Sequence, residues 1–337
     1  MYVASDSFQR NKITSAFQGA AYHGLTIART WAFSDGGYSP LQYSPCFYNE
    51  KMFQGLDFVI SEARKYGIKL ILSLVNNYEA FGGKKQYVNW ARNQGQNIFS
   101  DDDFFTNSVV QGFYKNHIKA INSITGLVYK DDPTIMAWEL MNEPRGTSDA
   151  SGRTIQRLLP SGLDIRNGFL LKVDKTINNH LLEAGLEGFY GQSNARTDFI
   201  TNNQIPDVDF ATVHSYPDQW LTSQSDESQT LKSHIEDAQN IIQKPLLFAE
   251  FGKSSKDPGF STYKRNEFLN TVYSEIYSSA RNGGVAAGGL FWQLLVEGMN
   301  NFRDGYEIVF SESTSTVSVI TEQSQKLNKI RKMYTRL

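Results

Sequence analysis

Two glutamates stand out by their surroundings. Glu143 follows an apolar run, residues 134–142, within the string Asn142-Glu143-Pro144-Arg145, and Glu250 closes a second run, residues 245–250. Other runs of the same kind end in Arg29-Thr30-Trp31, in Asn76-Asn77, in His214-Ser215-Tyr216 with Trp220 beyond, and in Trp292-Gln293. Two carboxyl groups facing each other across a cleft are what hydrolysis of a glycosidic bond needs. One must be protonated to donate to the leaving oxygen; the other must be ionised to attack the anomeric carbon or to activate water. Arg29 and the Tyr216 hydroxyl are suited to keep one carboxylate ionised, while burial and mutual repulsion would raise the pKa of the other. A single glutamate at such a position is more often a structural ion pair or a helix cap. The joint placement with Asn142, His214, Tyr216 and Trp292 is what favours chemistry. A metal-dependent hydrolase would want several His, Asp or Glu at these ends. Beyond the two glutamates only His214 is there, so neither a metal nor a cofactor is expected.

The tryptophans divide by position. Trp31, Trp220 and Trp292 fall at or just past the ends of apolar runs, where an indole face can stack on a sugar ring. Within 134–143, strand alternation puts Glu139, Met141 and Glu143 on one face and Trp138, Leu140 and Asn142 on the other, so Trp138 reads as core. Trp90 reads as a loop residue. His23, His117, His180 and His234 lie away from the C-terminal run ends and read as structural or solvated.

Something must hold these run ends in one plane. Seven short runs read as strands: 25–31, 68–75, 134–142, 180–184, 209–214, 245–250 and 288–292. They are near-continuously apolar, as expected of parallel strands covered on both sides. Segments of helical period separate them: 54–66, ending at Gly67, then 104–129, 231–242 and 263–282. Repeated strand–helix units over 337 residues predict one α/β domain, residues 1–337, folded as a (β/α)8 TIM barrel. The first recognisable element is a helix over roughly 7–22, so the expected barrel lacks its first strand.

Composition removes other classes. A net charge of −2 without a basic run gives nothing to attract nucleic acid or an anionic membrane, and no run approaches a membrane span. The single cysteine, Cys46, excludes an intramolecular disulfide and a cysteine metal site. The N-terminus lacks a basic region followed by an apolar core, so no export signal is read there.

The strings ARTWAFSDGGY (28–38), WELMNEPR (138–145), HSYPDQW (214–220), LLFAEFGKSS (246–255) and GGLFWQLL (288–295) together resemble glycoside hydrolase family five and, within it, the plant endo-β-1,4-mannanases. The resemblance covers most of the chain. It implies Glu143 as acid/base and Glu250 as nucleophile, with Arg29 and Tyr216 supporting the latter. It further implies that Asn142 binds the sugar 2-hydroxyl and that His214 lines the same subsite, over a stacking floor of Trp292. Arg145 and Trp220 would contact the leaving-group side, and Trp31 a further wall. The implied substrate is β-mannan, the implied place of action the cell wall outside the cell, and the implied state a monomer. Many family members carry a histidine after the third strand, where this chain has Asn76-Asn77. The segment 157–178 departs from the family, with Pro160, Gly162 and Gly168 interrupting the helix expected there. A barrel missing a strand predicts a poorly stable or inactive chain. The alternatives are a β-1,4-glucanase of the same barrel, or a degenerate member that at most binds polysaccharide.

Overall fold

The structure, a computed structural model, describes residues 1–116, 121–146, 148–149, 153–156, 181–183, 198–217 and 227–334. Seven parallel strands carry the fold: β1 Ile27–Trp31, β2 Lys69–Ser73, β3 Ile135–Glu139, β4 Leu181–Glu183, β5 Ala211–Ser215, β6 Leu246–Phe251 and β7 Ala286–Phe291. They pair in chain order as β1-β2-β3-β4 and β5-β6-β7, the seven strands that the sequence predicts. Among the described residues no strand pairs the outer edges of β1 and β7.

The helices cover this wall: α1 Arg10–Tyr22, α2 Glu50–Lys65, α3 Gly83–Asn93, α4 Ser108–Lys115, α5 Glu227–Asp237, α6 Thr262–Arg281 and α7 Thr314–Tyr334. In α2, Met52, Phe53, Leu56, Val59, Ile60 and Ala63 recur at helical spacing and are all buried. The helix stops where Gly67 takes a left-handed φ of 68°. One core lies between β2, β3 and the first helices, and a second between β5–β7, α6 and α7. A third cluster, Ile71, Ala137, Phe210, Leu247 and Ala249, joins the two sheets across the barrel interior.

Four expectations need correction. Residues 104–129 do not form one helix: a 3-10 turn at Asp101–Phe105 precedes α4, and another follows at Tyr129–Asp131. Asn107 caps α4 by accepting from the Val109 and Val110 amides, and the Asn122 side chain likewise binds the Ile124 and Thr125 amides. Such side chains offer the backbone an alternative to a continuing helix. Trp90 lies in α3, buried against Tyr87 at 5.2 Å between ring centroids, and not in a loop. The face alternation holds for Trp138, which is core, and for Glu139, which points inside, but fails beyond β3. Met141 packs in the helix-side core while Asn142 turns into the barrel mouth. Finally, α7 went unforeseen, its Ser- and Thr-rich start giving little periodic signal. The divergent segment 157–178 lies outside the described residues, as do His117, His180 and Trp220.

Candidate active site

Register brings the polar residues together. Ser73 stands opposite Glu139 in the β2–β3 ladder, and His214 opposite Glu250 in the β5–β6 ladder, all at the C-terminal ends of their strands. Functional groups of α/β barrels gather at this end. Past β3, an isolated bridge between Asn76 and Asn142 extends the pairing into the loops. There Asn142 donates to Asn76 Oδ1 (3.1 Å), and Asn77 Oδ1 accepts from the Arg145 amide (3.1 Å). Between them Glu143 adopts a φ of +50°, a conformation that costs a non-glycine residue of order 1 kcal/mol and aims its carboxyl inward.

Arg29 sits at the centre. Its guanidinium donates to both carboxylate oxygens of Glu139, to Glu250 Oε1, and to Asn142 Oδ1 at 2.6 Å. Tyr216 donates its hydroxyl to the other oxygen of Glu250 (2.6 Å). Glu250 therefore holds a cation on one side and a neutral donor on the other. Burial, with the charge of Glu250 next, pushes the Tyr216 phenol far above its ordinary value, so it remains a donor.

Across the mouth, His214 Nδ1 lies 2.8 Å from Glu143 Oε1 and 3.5 Å from Glu250 Oε2. Burial alone would lower the pKa of this fully enclosed imidazole. The charge of Glu250 and the hydrogen bond and charge of Glu143 outweigh it and raise the value. The Glu143 carboxyl moves the other way from the expectation. Burial pushes it up, but the hydrogen bond from His214, the charges of His214 and Arg145, and a hydrogen bond from Tyr78 hold it below its ordinary value. Mutual repulsion of the glutamates is not what sets Glu143; the histidine between them is.

The aromatic residues line one side. Trp292 and Trp31 stack at 5.7 Å between ring centroids with planes 29° apart, and Phe33 stacks on Trp31 at 5.1 Å. Asp304 accepts the Trp292 indole N–H at 2.7 Å and fixes that ring. Arg145 lies over the Tyr78 ring at 5.8 Å. Beneath it, buried Lys84 donates to the Arg145 carbonyl (2.7 Å) and to Asp102 (3.1 Å).

Of the residues singled out from sequence, Arg29, Asn142, Glu143, Arg145, His214, Tyr216, Glu250, Trp31 and Trp292 come together here. Glu139, Tyr78, Lys84 and Asp304 were missed. Glu139 left a readable trace: an acid within an apolar strand, on the inward face, must find a cationic partner. One ligand atom each of Glu143, His214 and Glu250 lies within 4.8 Å of the others, a spacing that a cation could bridge. The Arg29 guanidinium already supplies positive charge to Glu250, and the third group is an imidazole bonded to Glu143. That donor set is better suited to holding a proton than a metal.

A barrel with two carboxylates at its C-terminal mouth, one clamped by Arg and Tyr and one bonded to His, defines an α/β-barrel glycoside hydrolase. The chain belongs to glycoside hydrolase family five: the model of the family's β-mannosidase-like group matches residues 5–304. Its whole length aligns at 59% identity with mannan endo-1,4-beta-mannosidase 7 of Arabidopsis thaliana, covering 81% of that protein. It aligns at 57%, again over its whole length and over 82% of the relative, with mannan endo-1,4-beta-mannosidase 1 of Oryza sativa subsp. japonica. Among solved structures, an endo-beta-1,4-mannanase from Thermotoga petrophila superposes with a TM-score of 0.79 at 28% identity, over 97% of this chain and 75% of that one.

Proposed function

We propose that this chain is a retaining endo-hydrolase of β-1,4-mannosidic bonds in mannan, glucomannan and galactomannan. The observation that carries the reaction type is the closeness of the two carboxylates, with oxygens within 4.8 Å, each held by different partners. Retaining sites separate their carboxyls by about 5–5.5 Å, inverting sites by about 6.5–9.5 Å to admit a water. The mannan assignment rests on the relatives named above.

Glu250, bonded to the Arg29 guanidinium and the Tyr216 hydroxyl, attacks the anomeric carbon. Its bond to that carbon forms as the glycosidic C–O bond breaks, and Glu143 delivers a proton to the departing oxygen. His214, whose Nδ1 lies 2.8 Å from Glu143 Oε1 and whose pKa is raised by the two glutamates, is placed to share that proton with Glu143. Glu143 then takes a proton from the water that cleaves the glycosyl-enzyme. Asn142 binds the 2-hydroxyl, Trp292 floors that subsite and Trp31 extends the wall. Arg145 contacts the leaving-group side, a role that Trp220 shares in this reading.

Glu143→Gln and Glu250→Gln are each expected to lower kcat by about 10²–10⁴-fold or more while mannan binding persists. Full turnover in either variant overturns the roles. Parallel assays on pure mannan, glucomannan and soluble cellulose separate the mannanase from the glucanase reading, with comparable rates on cellulose deciding for the latter. In the same reading the chain acts as a monomeric single domain on cell-wall polysaccharide outside the cell. Light scattering and detection in the wall fraction check these points. Among the described residues no helix is long and apolar enough to cross a membrane.

A further inference from the structure

The catalytic reading uses two carboxylates, yet a third lies against the same guanidinium. Glu139 is wholly excluded from solvent, and both its oxygens accept from Arg29. The Ser73 hydroxyl donates to Glu139 Oε1 at 2.7 Å, so the acid is itself fixed from the neighbouring strand. With Glu139 taking Nε and one edge of Nη2, Nη1 donates to Glu250 and the other edge of Nη2 to Asn142. The planar fork cannot rotate without breaking the paired contact to Glu139.

We propose that Glu139 is a positioning residue for the nucleophile: through Arg29 it fixes where Glu250 and Asn142 stand and cancels part of the charge that Glu250 feels. This rests on the reading of Glu250 as nucleophile. Without Glu139 the guanidinium is an uncompensated cation, no longer held from behind and free to turn toward Glu250. It binds Glu250 more tightly, which weakens the carboxylate as a nucleophile, and it loosens Asn142. The added positive potential favours the ionised form of nearby acids and the neutral form of His214, so the activity profile moves to lower pH.

The test uses the full chain with Glu139→Gln, Glu139→Asp and Ser73→Ala. Each variant is assayed for kcat and KM on mannan, for the pH profile of kcat/KM and for Tm. Glu139→Gln is expected to lower kcat by roughly 10²-fold with KM within about threefold, and to move the profile acidic. Glu139→Asp keeps the charge and recovers part of the rate with a near-normal profile. Ser73→Ala gives a smaller loss of kcat.

A wild-type profile in folded Glu139→Gln, whatever its rate, reduces Glu139 to a structural role and overturns the proposal. Should Glu139→Gln not fold, Ser73→Ala and Glu139→Asp decide, and wild-type kcat in both overturns it equally. A second readout does not depend on mannan turnover. A 2-deoxy-2-fluoroglycosyl fluoride, in manno and gluco forms, bonds its anomeric carbon to Glu250 and releases fluoride. Mass spectrometry follows the rate. Labelling of another residue, or no labelling of the wild type, sinks the nucleophile reading. Normal labelling of the wild type with unslowed labelling of Glu139→Gln sinks only this inference.

Discussion

One imidazole nitrogen, His214 Nδ1, faces both glutamates, and the site's proton inventory follows from that contact. In the proposed mechanism Glu143 and His214 share one working proton, and the pair, not either group, is expected to set the alkaline limb of activity. His214 carries a raised pKa, so its proton is present at low pH and lost as pH rises through that raised value. The associated stability is complete below the ordinary histidine value and disappears over the same alkaline interval. Replacing His214 with Gln leaves Glu143 as the proton holder, and the alkaline limb of kcat/KM should then fall to lower pH. An unchanged limb in pH–rate measurements would show that His214 holds no working proton. At this scale the sequence was legible where residues stood in recognisable strings. Glu139 and Tyr78 were not read because each works through a partner distant in sequence: Arg29 in one case, Glu143 in the other.

At the scale of elements, strands were legible because their apolar runs are short and nearly continuous, whereas the loops above them answer to close backbone contacts. The loop between β2 and α3 carries Asn76, Asn77 and Tyr78 into the site and turns back at Gly82-Gly83. Gly83 has a φ of +58°, and a Cβ there would stand 1.9 Å from the Tyr78 carbonyl oxygen. Gly83→Ala should destabilise by about 2 kcal/mol or more and reduce kcat, since the loop can relieve the clash only by moving Tyr78 and Asn76. Thermal melts and mannan kinetics check this, and a neutral effect on both would refute it. On the opposite side, Asp304 accepts both the Trp292 indole N–H and, at 2.9 Å, the Tyr306 amide. Asp304→Leu is therefore expected to raise KM, and to lower Tm as well because the Tyr306 amide loses its acceptor, with mannan kinetics and thermal melts as the checks. The broken 104–129 segment teaches the converse: helical periodicity persists there, but Asn107 and Asn122 redirect the backbone locally.

For the molecule as a whole, the open question is one of edges. Among the described residues β1 and β7 each present an unpaired edge to the same gap, and Arg29 stands on one and Trp292 directly after the other. Unpaired parallel edges invite association with other chains. A version extended at its N-terminus by a strand that pairs both edges is expected to melt higher, by roughly 2–4 °C for each kcal/mol gained, and to hydrolyse mannan faster. Identical melting and activity would show that the interior cluster of Ile71, Ala137, Phe210, Leu247 and Ala249 suffices to hold the mouth in shape.

What the amino-acid sequence determined by itself was the periodic part: seven apolar strands in order, the polar and aromatic residues at six of their ends, and hence a barrel with paired glutamates at its mouth. Those features depend on neighbours a few residues apart, and local spacing records them. Tertiary structure decided what depends on distant partners in three dimensions. It set the left-handed turn that aims Glu143, the exit of Asn142 from strand alternation, the buried Glu139 behind Arg29, and the histidine that lowers rather than raises the acid's proton affinity. A charge buried among apolar atoms takes its properties from whichever groups the fold places within hydrogen-bonding reach, and no spacing along the chain specifies those.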